Sequence, residues 1–146
     1  DRVLAADGTE NGRALQRAVR EVMTSRAGVI RDEEGLSTGL RELDEIEARV
    51  ADLVVHPDIA GYQDLAHAFD LLSSILAARA TLQCALERRE TRGCHNRSDY
   101  PETDPELRVN LVWSPDGTVE REAIAEVPAE IAALTREVSA EGKLVE

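Results

Sequence analysis

The stretch that decides the fold is 62-YQDLAHAFDLLSSILAARATLQCALERR-89. Its apolar residues recur every three or four positions, which is the spacing of one face of an α-helix. The main stripe consists of Leu65, Phe69, Leu72, Leu76 and Leu86, and Leu71, Ile75 and Leu82 widen it. A helix of this length spans about 40 Å at ~1.5 Å per residue. The breadth of its apolar face predicts contact with two neighbouring helices.

Two shorter helices are predicted before it. The first starts at Arg13 and ends or bends at Gly28, with its stripe at Leu15, Ala18, Val19, Val22 and Met23. The second is capped by Asp32, followed by two acidic residues that suit the positive end of a helix dipole. It is expected to continue past Leu53 to His56, since Pro57 disfavours helical geometry at the residue before it. Three helices with short links predict an antiparallel bundle over residues 13–104.

Gly35 and Gly39 lie four residues apart within the second helix. They indicate either a close approach of two helices or only a weak first turn, since each glycine costs about 1 kcal/mol relative to alanine. Close packing is slightly favoured. Residues 1–12 form a loose polar lead-in before the bundle.

Residues 105–146 form a C-terminal extension of a different character. Leu107–Trp113 alternates apolar and polar side chains, 114-SPDG-117 signals a turn, and 118-TVEREAI-124 can return as a second strand. Pro128 then opens a predicted short helix, 129-AEIAALTREVSAEG-142. Because a lone hairpin is marginal in water, this extension needs a surface to lie against. The predicted fold class is mainly α, a three-helix bundle with a hairpin and a short helix.

The composition limits the function. The chain has 146 residues, a formal net charge of −12, and only 3% aromatic residues, so the core is aliphatic. Such acidity argues against nucleic acid and against anionic membranes as partners. No stretch was expected to approach the ~20 apolar residues of a membrane span, and no signal peptide was expected. Because the chain starts without Met, we expect a piece of a longer protein.

Few residues suggest catalysis. Cys84 and Cys94 are expected to be free thiols, and Cys94 beside His95 raises the possibility of a thiol hydrolase. That possibility is weak, since nucleophile and base are usually distant in sequence. The three histidines lack metal-ligand spacing, and no glycine-rich phosphate-binding motif is present. We therefore predict no catalytic, cofactor-binding or metal-binding residue in this chain.

The most unusual segment is 87-ERRETRGCHNRSDYP-101, which is rich in arginine. Arg88 and Arg89 suit a helix C-terminus, where cations meet the negative end of the dipole. Arg92 and Arg97 lie at and beyond Gly93, so this explanation fits them less well. Guanidinium groups grip carboxylates and backbone carbonyls at interfaces. The segment therefore predicts docking onto a surface outside this chain.

The order 90-ETRGCHNRSDYP-101 resembles a signature of the flavoprotein subunits of succinate dehydrogenase and fumarate reductase. The stretch 23-MTSRAGVIRDEEGL-36 is similar to the link between the first two C-terminal helices of that family. L-Aspartate oxidase, a relative, has looser versions of both. The resemblance covers residues 13–104 and extends into the tail. Cys94 departs from the usual alanine or leucine.

This resemblance implies a spectrin-repeat-like bundle that packs against the FAD-binding domain of the same parent chain, near an iron–sulfur subunit. FAD and the redox chemistry on succinate or fumarate would then lie upstream. The parent would be cytoplasmic, or held at the inner face of the cytoplasmic membrane by partner subunits, without inserting directly. The residues expected at the domain interface are Arg88, Arg92, His95, Arg97, Asp99 and Tyr100.

As surface charges, Arg92 and Arg97 should contribute little to the stability of the chain alone. Two other functions stay open. The chain could be an autonomous helical interaction module whose arginine-rich loop binds an acidic partner, or a small thiol enzyme that uses Cys94.

Overall fold

The structure is a computed structural model that describes residues 7–56, 58 and 62–132. Three helices dominate it: α1 (Gly12–Arg26), α2 (Glu33–Arg49) and α3 (Tyr62–Glu87). Each of the three packs against the other two. The predicted mainly α fold with three long helices is confirmed.

The starts of α1 and α2 follow from their capping residues. The side chain of Asn11 accepts a hydrogen bond from the Ala14 N–H at 3.1 Å, so α1 begins one residue before the predicted start. Asp32 caps α2 as predicted, with its Oδ1 accepting from the Gly35 N–H at 2.7 Å. Both caps satisfy N–H groups that have no partner inside their helix.

The predicted end of the second helix was wrong. α2 ends at Arg49, and a 3₁₀ turn (Val50–Asp52) leads into β3 (Leu53–Val54). β3 pairs in parallel with β1 (Glu10–Asn11), and the Gly8 N–H donates to the Leu53 carbonyl at 2.9 Å. The chain leaves the helix because this pairing lets Leu53 turn into the core. The described part of the lead-in, residues 7–12, is therefore ordered against the bundle rather than loose.

The core is aliphatic, and the face of α3 that supplies it differs from the predicted stripe. Leu71 and Leu82, expected only to widen the stripe, are fully buried, whereas Phe69, Leu72 and Leu76 are exposed. The buried hydrophobic residues of α1 and α2 are Leu15, Val19, Val22, Leu36, Leu43 and Ile46. The apolar residues of α3 therefore form two faces, and the bundle buries one of them.

Gly39 lies at a close approach between helices. A Cβ at this position would lie 3.0 Å from the Arg26 Cβ of α1 and 3.1 Å from the Leu82 Cδ2 of α3. At Gly35 the nearest atom is instead the Oδ1 of the capping Asp32, at 3.1 Å. Close helix packing is thus the correct interpretation at Gly39, where a side chain would separate three helices.

By length and composition alone, α3 is long and apolar enough to cross a membrane, contrary to the expectation from the sequence. Core helices of globular proteins meet the same criterion. Here the inner face of α3 packs against α1 and α2. The high mean hydropathy of α3 therefore results from its two apolar faces, only one of which the bundle buries.

The predicted hairpin is confirmed. β5 (Val109–Trp113) and β6 (Val119–Ala123) pair antiparallel, and Gly117 adopts a φ of +87° in the turn between them. The hairpin lies on the C-terminal half of α3, where Arg121 forms an ion pair with Glu87 at 2.6 Å. Of the predicted terminal helix, α4 (Ala129–Ala132) is observed, and residues 133–142 lie outside the described residues.

Candidate functional site

The arginine loop, residues 88–104, follows the end of α3 and turns sharply at Gly93. That glycine has a φ of +56°, a conformation that other residues rarely adopt. Around it, the backbones of Arg92 and His95 exchange two hydrogen bonds of 2.8 and 3.0 Å. The short strand β4 (Asn96–Arg97) then pairs in parallel with β2 (Ile30–Arg31), which lies in the α1–α2 link. The loop is therefore fixed to two parts of the bundle.

Glu90 lies at the centre of the loop and is fully buried. Its carboxylate accepts hydrogen bonds from Arg92 Nε at 2.8 Å and Nη2 at 3.0 Å, from Arg88 Nη1 at 2.7 Å, and from the Asp104 N–H at 2.8 Å. Burial alone would raise the pKa of Glu90, but the bonds from Arg92, Asp104 and Arg88 outweigh it and lower the pKa to about 2. Glu90 is therefore ionised and serves as the anchor of the loop.

The two arginines bound to Glu90 also hold the segment that leads into the hairpin. Arg88 donates from Nη1 to the Leu107 carbonyl and from Nη2 to the Val109 carbonyl, both at 2.8 Å. Arg92 donates from Nη2 to the Asp104 carbonyl at 2.9 Å. One buried carboxylate thus positions two guanidinium groups that connect the end of α3 to the start of β5.

Arg97 is fully buried and closes the C-terminal end of α3. Its Nη1 donates to the Ala85 carbonyl at 2.8 Å, with longer bonds to the carbonyls of Leu86 and Arg88. These carbonyls lie in and beyond the last helical turn, where partners within the helix are lacking. The Arg97 guanidinium also lies 4.9 Å from the centroid of the Tyr100 ring, in cation–π geometry.

The same guanidinium binds Asp99 in a two-pronged ion pair, with Nε–Oδ1 and Nη2–Oδ2 distances of 2.7 Å. Asp99 Oδ2 also accepts a hydrogen bond from the Glu33 N–H, in the first turn of α2, at 2.9 Å. The bond from Arg97 is the main reason that the pKa of Asp99 lies well below its usual range, with the Glu33 N–H adding to it. The pair therefore connects the C-terminus of α3 to the N-terminus of α2.

His95 bridges the loop and the α1–α2 link. Its Nδ1 lies 3.0 Å from Arg31 Nη1, and its Nε2 lies 3.0 Å from the Arg88 carbonyl. Because a guanidinium only donates and a carbonyl only accepts, Nδ1 must accept and Nε2 must carry the proton. Burial, followed by the charges of Arg31, Arg97 and Arg88, lowers the pKa of His95 despite the opposing effect of the carbonyl bond. The ring is a neutral structural bridge.

The structure brings all six predicted interface residues into this network, but inside the chain. The expectation that Arg92 and Arg97 are surface charges was wrong for Arg97, which is 0% exposed, while the Arg92 side chain is 36% exposed. The main partner of the α3 carbonyls is also Arg97 rather than Arg88 or Arg89. Guanidinium groups occupied in this way do not support the arginine loop as an acid-binding site of an autonomous module.

Sequence reasoning missed three residues of the network. Glu90 is its central anion, and its only sequence signal is an arginine two positions away on either side. Thr91 Oγ1 accepts from the Arg97 N–H at 2.9 Å and donates to the Tyr100 carbonyl at 3.0 Å. Arg31, which binds His95, lies in the quoted stretch of residues 23–36 but was given no role.

The thiols do not form a catalytic pair with this histidine. Cys94 is exposed, and both ring nitrogens of His95 are already engaged, so the ring is not available as a base. Cys84 is half-buried, and burial raises the pKa of its thiol. An open groove of about 580 Å³ lies between α3, the hairpin and the arginine loop. The side chains of Arg88 and His95 on its wall are held by partners within the chain.

The N-termini of α1 and α2 do not fit the pyrophosphate of a flavin. A pyrophosphate requires free N–H groups, commonly at a helix N-terminus. Asn11 occupies that position at α1, and Asp32 and Asp99 occupy it at α2 with two carboxylates that would repel phosphate. Within residues 7–56, 58 and 62–132, no group of three or more histidine, cysteine, aspartate or glutamate residues could hold a metal ion.

Comparison with known proteins places the chain in a family. The sequence profile described as fumarate reductase flavoprotein C-terminal region matches residues 16–139. An uncharacterised FAD-dependent oxidoreductase of Methanocaldococcus jannaschii is 37% identical over 94 residues, which are 64% of this chain and 17% of that protein. The fumarate reductase flavoprotein subunit of Helicobacter pylori is 32% identical over 109 residues, 74% of this chain and 15% of that protein.

The fold recurs in a solved structure. A quinol fumarate reductase chain from E. coli superposes with a TM-score of 0.73 at 22% identity, covering 86% of this chain and 23% of that chain. This likeness shows the fold, while the matching profile extends over most of the sequence. The chain therefore belongs to the fumarate reductase flavoprotein C-terminal family, as the segment Glu90–Pro101 predicted.

Proposed function

We propose that this chain is the C-terminal accessory domain of an FAD-dependent oxidoreductase that interconverts succinate and fumarate. The family assignment supports this role, since the chain matches less than a fifth of the two relatives' lengths, 17% and 15%. The preceding part of the parent chain would hold the flavin and the substrate. The domain's own contribution is structural: it packs against the flavin domain and supports its shape.

The observation that carries this proposal is the second apolar face of α3. Phe69, Leu72 and Leu76 recur at helical spacing and are 54%, 42% and 48% exposed. Apolar side chains that lie singly on a surface are normal, but a continuous stripe marks an interaction site. Farther along the same face, Gln83 is covered by Trp113 of the hairpin and Glu87 by Arg121. The N-terminal half of the stripe is bare within the described residues, and we assign it to the flavin domain.

The path of the chain supports this assignment. The backbone of Asp7 pairs with that of Val54. Gly12 lies against Ala68 near the start of α3, so that a Cβ added at Gly12 would lie 3.5 Å from the Ala68 nitrogen. A domain that precedes residue 7 in the parent chain would thus be tethered at the end of the bundle that carries the N-terminal half of α3. A tether that starts at this end raises the effective concentration of the flavin domain at this stripe.

The arginine loop supplies a second surface in this proposal. Its buried cluster fixes the backbone, and its outer side exposes Gly93, Cys94 and Asn96. The predicted interface residues would then contribute to the interface indirectly, because they hold this surface in shape. They are Arg88, Arg92, His95, Arg97, Asp99 and Tyr100. An iron–sulfur subunit is the partner we expect nearby, with the assembly at the inner face of the cytoplasmic membrane.

The docking part is tested by thiol labelling of the full-length parent protein. Leu72→Cys is compared with Ser37→Cys, an exposed position on α2, and labelled peptides are quantified by mass spectrometry so that Cys84 and Cys94 do not interfere. If the flavin domain covers the stripe, the thiol at position 72 reacts at least about tenfold more slowly. Equal rates at the two positions would contradict the docking assignment.

The chemical part is tested on the same purified protein. We expect flavin absorbance in the visible spectrum, bleaching by succinate and recovery with fumarate. A colourless parent chain would refute the oxidoreductase assignment whatever the labelling rates. Reduction by aspartate in place of succinate would identify the parent as an aspartate oxidase.

A further inference from the structure

A second unpartnered surface lies on α1, on the side of that helix away from the core. Arg13, Arg17 and Arg20 recur at i, i+4 and i+7, so they form one stripe about 10 Å long. All three are exposed, and within the described part of the chain none of their guanidinium groups has a hydrogen bond or ion pair. Even Glu21, four residues after Arg17, forms no ion pair with it.

The chain has 29 acidic residues against 17 basic ones, so partners for arginine are abundant. Several arginines pair with them, as Arg26 does with Glu42 and Arg49 with Glu10. Arg41, Arg89 and Arg108 are exposed without a carboxylate partner, but each of these lies singly on a separate segment. Arg13, Arg17 and Arg20 differ in that they lie unpaired as a group on one face of one helix.

The stripe also works against the helix that carries it. Arg13 lies in the first turn, where the dipole favours acids, and α1 has no acidic residue there. Like charges four residues apart, such as Arg13 and Arg17, also destabilise a helix. Residues that destabilise the helix in which they lie indicate a function other than stabilising the fold.

We propose that Arg13, Arg17 and Arg20 form a docking stripe for an acidic segment of another polypeptide chain. Two turns of an acidic helix match its length, and guanidinium groups bind carboxylates in a two-pronged geometry. A phosphate polymer or an anionic bilayer fits less well, because its charge extends far beyond the stripe and would be repelled by a chain with a formal net charge of −12.

This inference goes beyond the proposed function and stands without it, since the stripe lies on α1 and the flavin-domain contact on α3. The test uses the natural full-length protein in its purified assembly. Arg17→Lys and Arg20→Lys keep the charge and supply amines, which a carbodiimide joins to carboxylates in direct contact. We expect cross-links from positions 17 and 20 to aspartate or glutamate residues of a different polypeptide, identified by mass spectrometry.

Charge reversal gives the complementary measurement. The R17E/R20E variant should retain the cross-linked partner roughly tenfold less well at 0.15 M salt, since attraction becomes repulsion at two contacts. The matched control is R41E/R108E, which makes the same charge change at two exposed arginines that lack a carboxylate partner. Equal loss of the partner in both variants would overturn the stripe as the contact.

Two further results would also overturn the proposal. The first is cross-linking confined to a single chain, or no cross-linking at all, in an assembly whose composition is verified by native mass spectrometry. The second is co-purifying nucleic acid that R17E/R20E releases and R41E/R108E retains. Loss of flavin in R17E/R20E is not expected, and the visible spectrum separates this test from that of the oxidoreductase assignment.

Discussion

Arg97 and Asp99 form a two-pronged ion pair whose members each complete a different helix. The guanidinium binds carbonyls at the end of α3, and the carboxylate accepts the Glu33 N–H at the start of α2. The two helix ends carry opposite partial charges, and each meets the member of the pair with the opposite sign. The pair is therefore a joint between helices.

Arg97→Ala should strongly destabilise this chain. The change frees the carbonyl of Ala85 and leaves Asp99 without its partner, although the Asp99 side chain is 29% exposed. Removal of one member of a fully buried pair typically costs about 3–5 kcal/mol, so we expect a loss near the lower end of this range. Urea unfolding followed by circular dichroism measures the change. Arg89→Ala, at an exposed arginine of the same loop, should stay within about 0.5 kcal/mol of the parent. Similar midpoints for both variants would show that Arg97 is not structural.

Glu90 predicts how stability depends on pH. Its pKa is about 2 in the folded chain and about 4.5 when unfolded, so the unfolded state binds more protons between these values. The stabilisation is fully present above pH ~4.5 and is lost as the pH falls towards 2. Asp99 adds a loss of the same sign, since its folded pKa is also lowered. Urea midpoints measured from pH 6 to pH 2.5 follow this decline.

Glu90→Gln isolates the contribution of the central carboxylate. The variant should be less stable at pH 7, because Arg88 and Arg92 lose their shared counter-ion. Its midpoint should also fall less steeply below pH 4.5. Glu122→Gln, an exposed carboxylate on β6, should keep the steeper slope. If the two variants gave parallel curves, Glu90 would not be the group that titrates.

His95 should stay neutral under mildly acidic conditions. Burial and three nearby arginines hold its folded pKa below 6.5, so the unfolded state protonates first. Stability should therefore start to fall as the pH drops below about 6.5, and this loss should stop once the folded pKa is passed. Nitrogen NMR at pH 7 should show the neutral ring with its proton on Nε2. A proton on Nδ1, or a charged ring, would contradict the assigned bridge to Arg31.

Gly39→Ala should destabilise the bundle although alanine favours helices. The gain of about 1 kcal/mol in helix propensity is opposed by overpacking, which typically costs about 1–3 kcal/mol. The added methyl would meet Arg26 and Leu82 at 3.0–3.1 Å, which predicts a net loss of about 1 kcal/mol. Ser37→Ala, on the exposed side of the same helix, should instead be neutral or slightly stabilising. Thermal unfolding of the two variants compares them directly.

Local sequence patterns predicted the helices and the hairpin well because their signals are local. Asp32 is a residue type that favours the capping position, and the alternation of apolar and polar residues before Ser114 predicts a strand. The end of α2 was missed because it depends on residues about forty positions away, where Glu10 pairs with Leu53. The bare face of α3 was mistaken for the core because periodicity reveals stripes without saying which stripe meets a partner.

The sequence drew attention to the arginine loop, but it did not reveal which residues contact one another inside the loop. The six residues predicted at the interface lie in one network within the chain, yet the sequence cannot show that Arg97 is buried or that it meets the last carbonyls of α3. Glu90 was overlooked for the same reason. In the sequence, a carboxylate between two arginines indicates only that opposite charges alternate. The role of Glu90 depends on its burial and on the hydrogen bond from the Asp104 N–H, fourteen residues away.

The joint between α2 and α3 also sets the order in which the chain can mature during synthesis. Residue 99 leaves the ribosome long after α2, so the start of that helix waits for a partner made more than sixty residues later. A nascent chain that ends near residue 89 contains all three helices but neither Glu90 nor the Arg97–Asp99 pair. Its helices can collapse by their aliphatic faces, and we expect the bundle to become fully stable only when the arginine loop has emerged. The contacts of the arginine loop would then be the last contacts of this domain to form during synthesis.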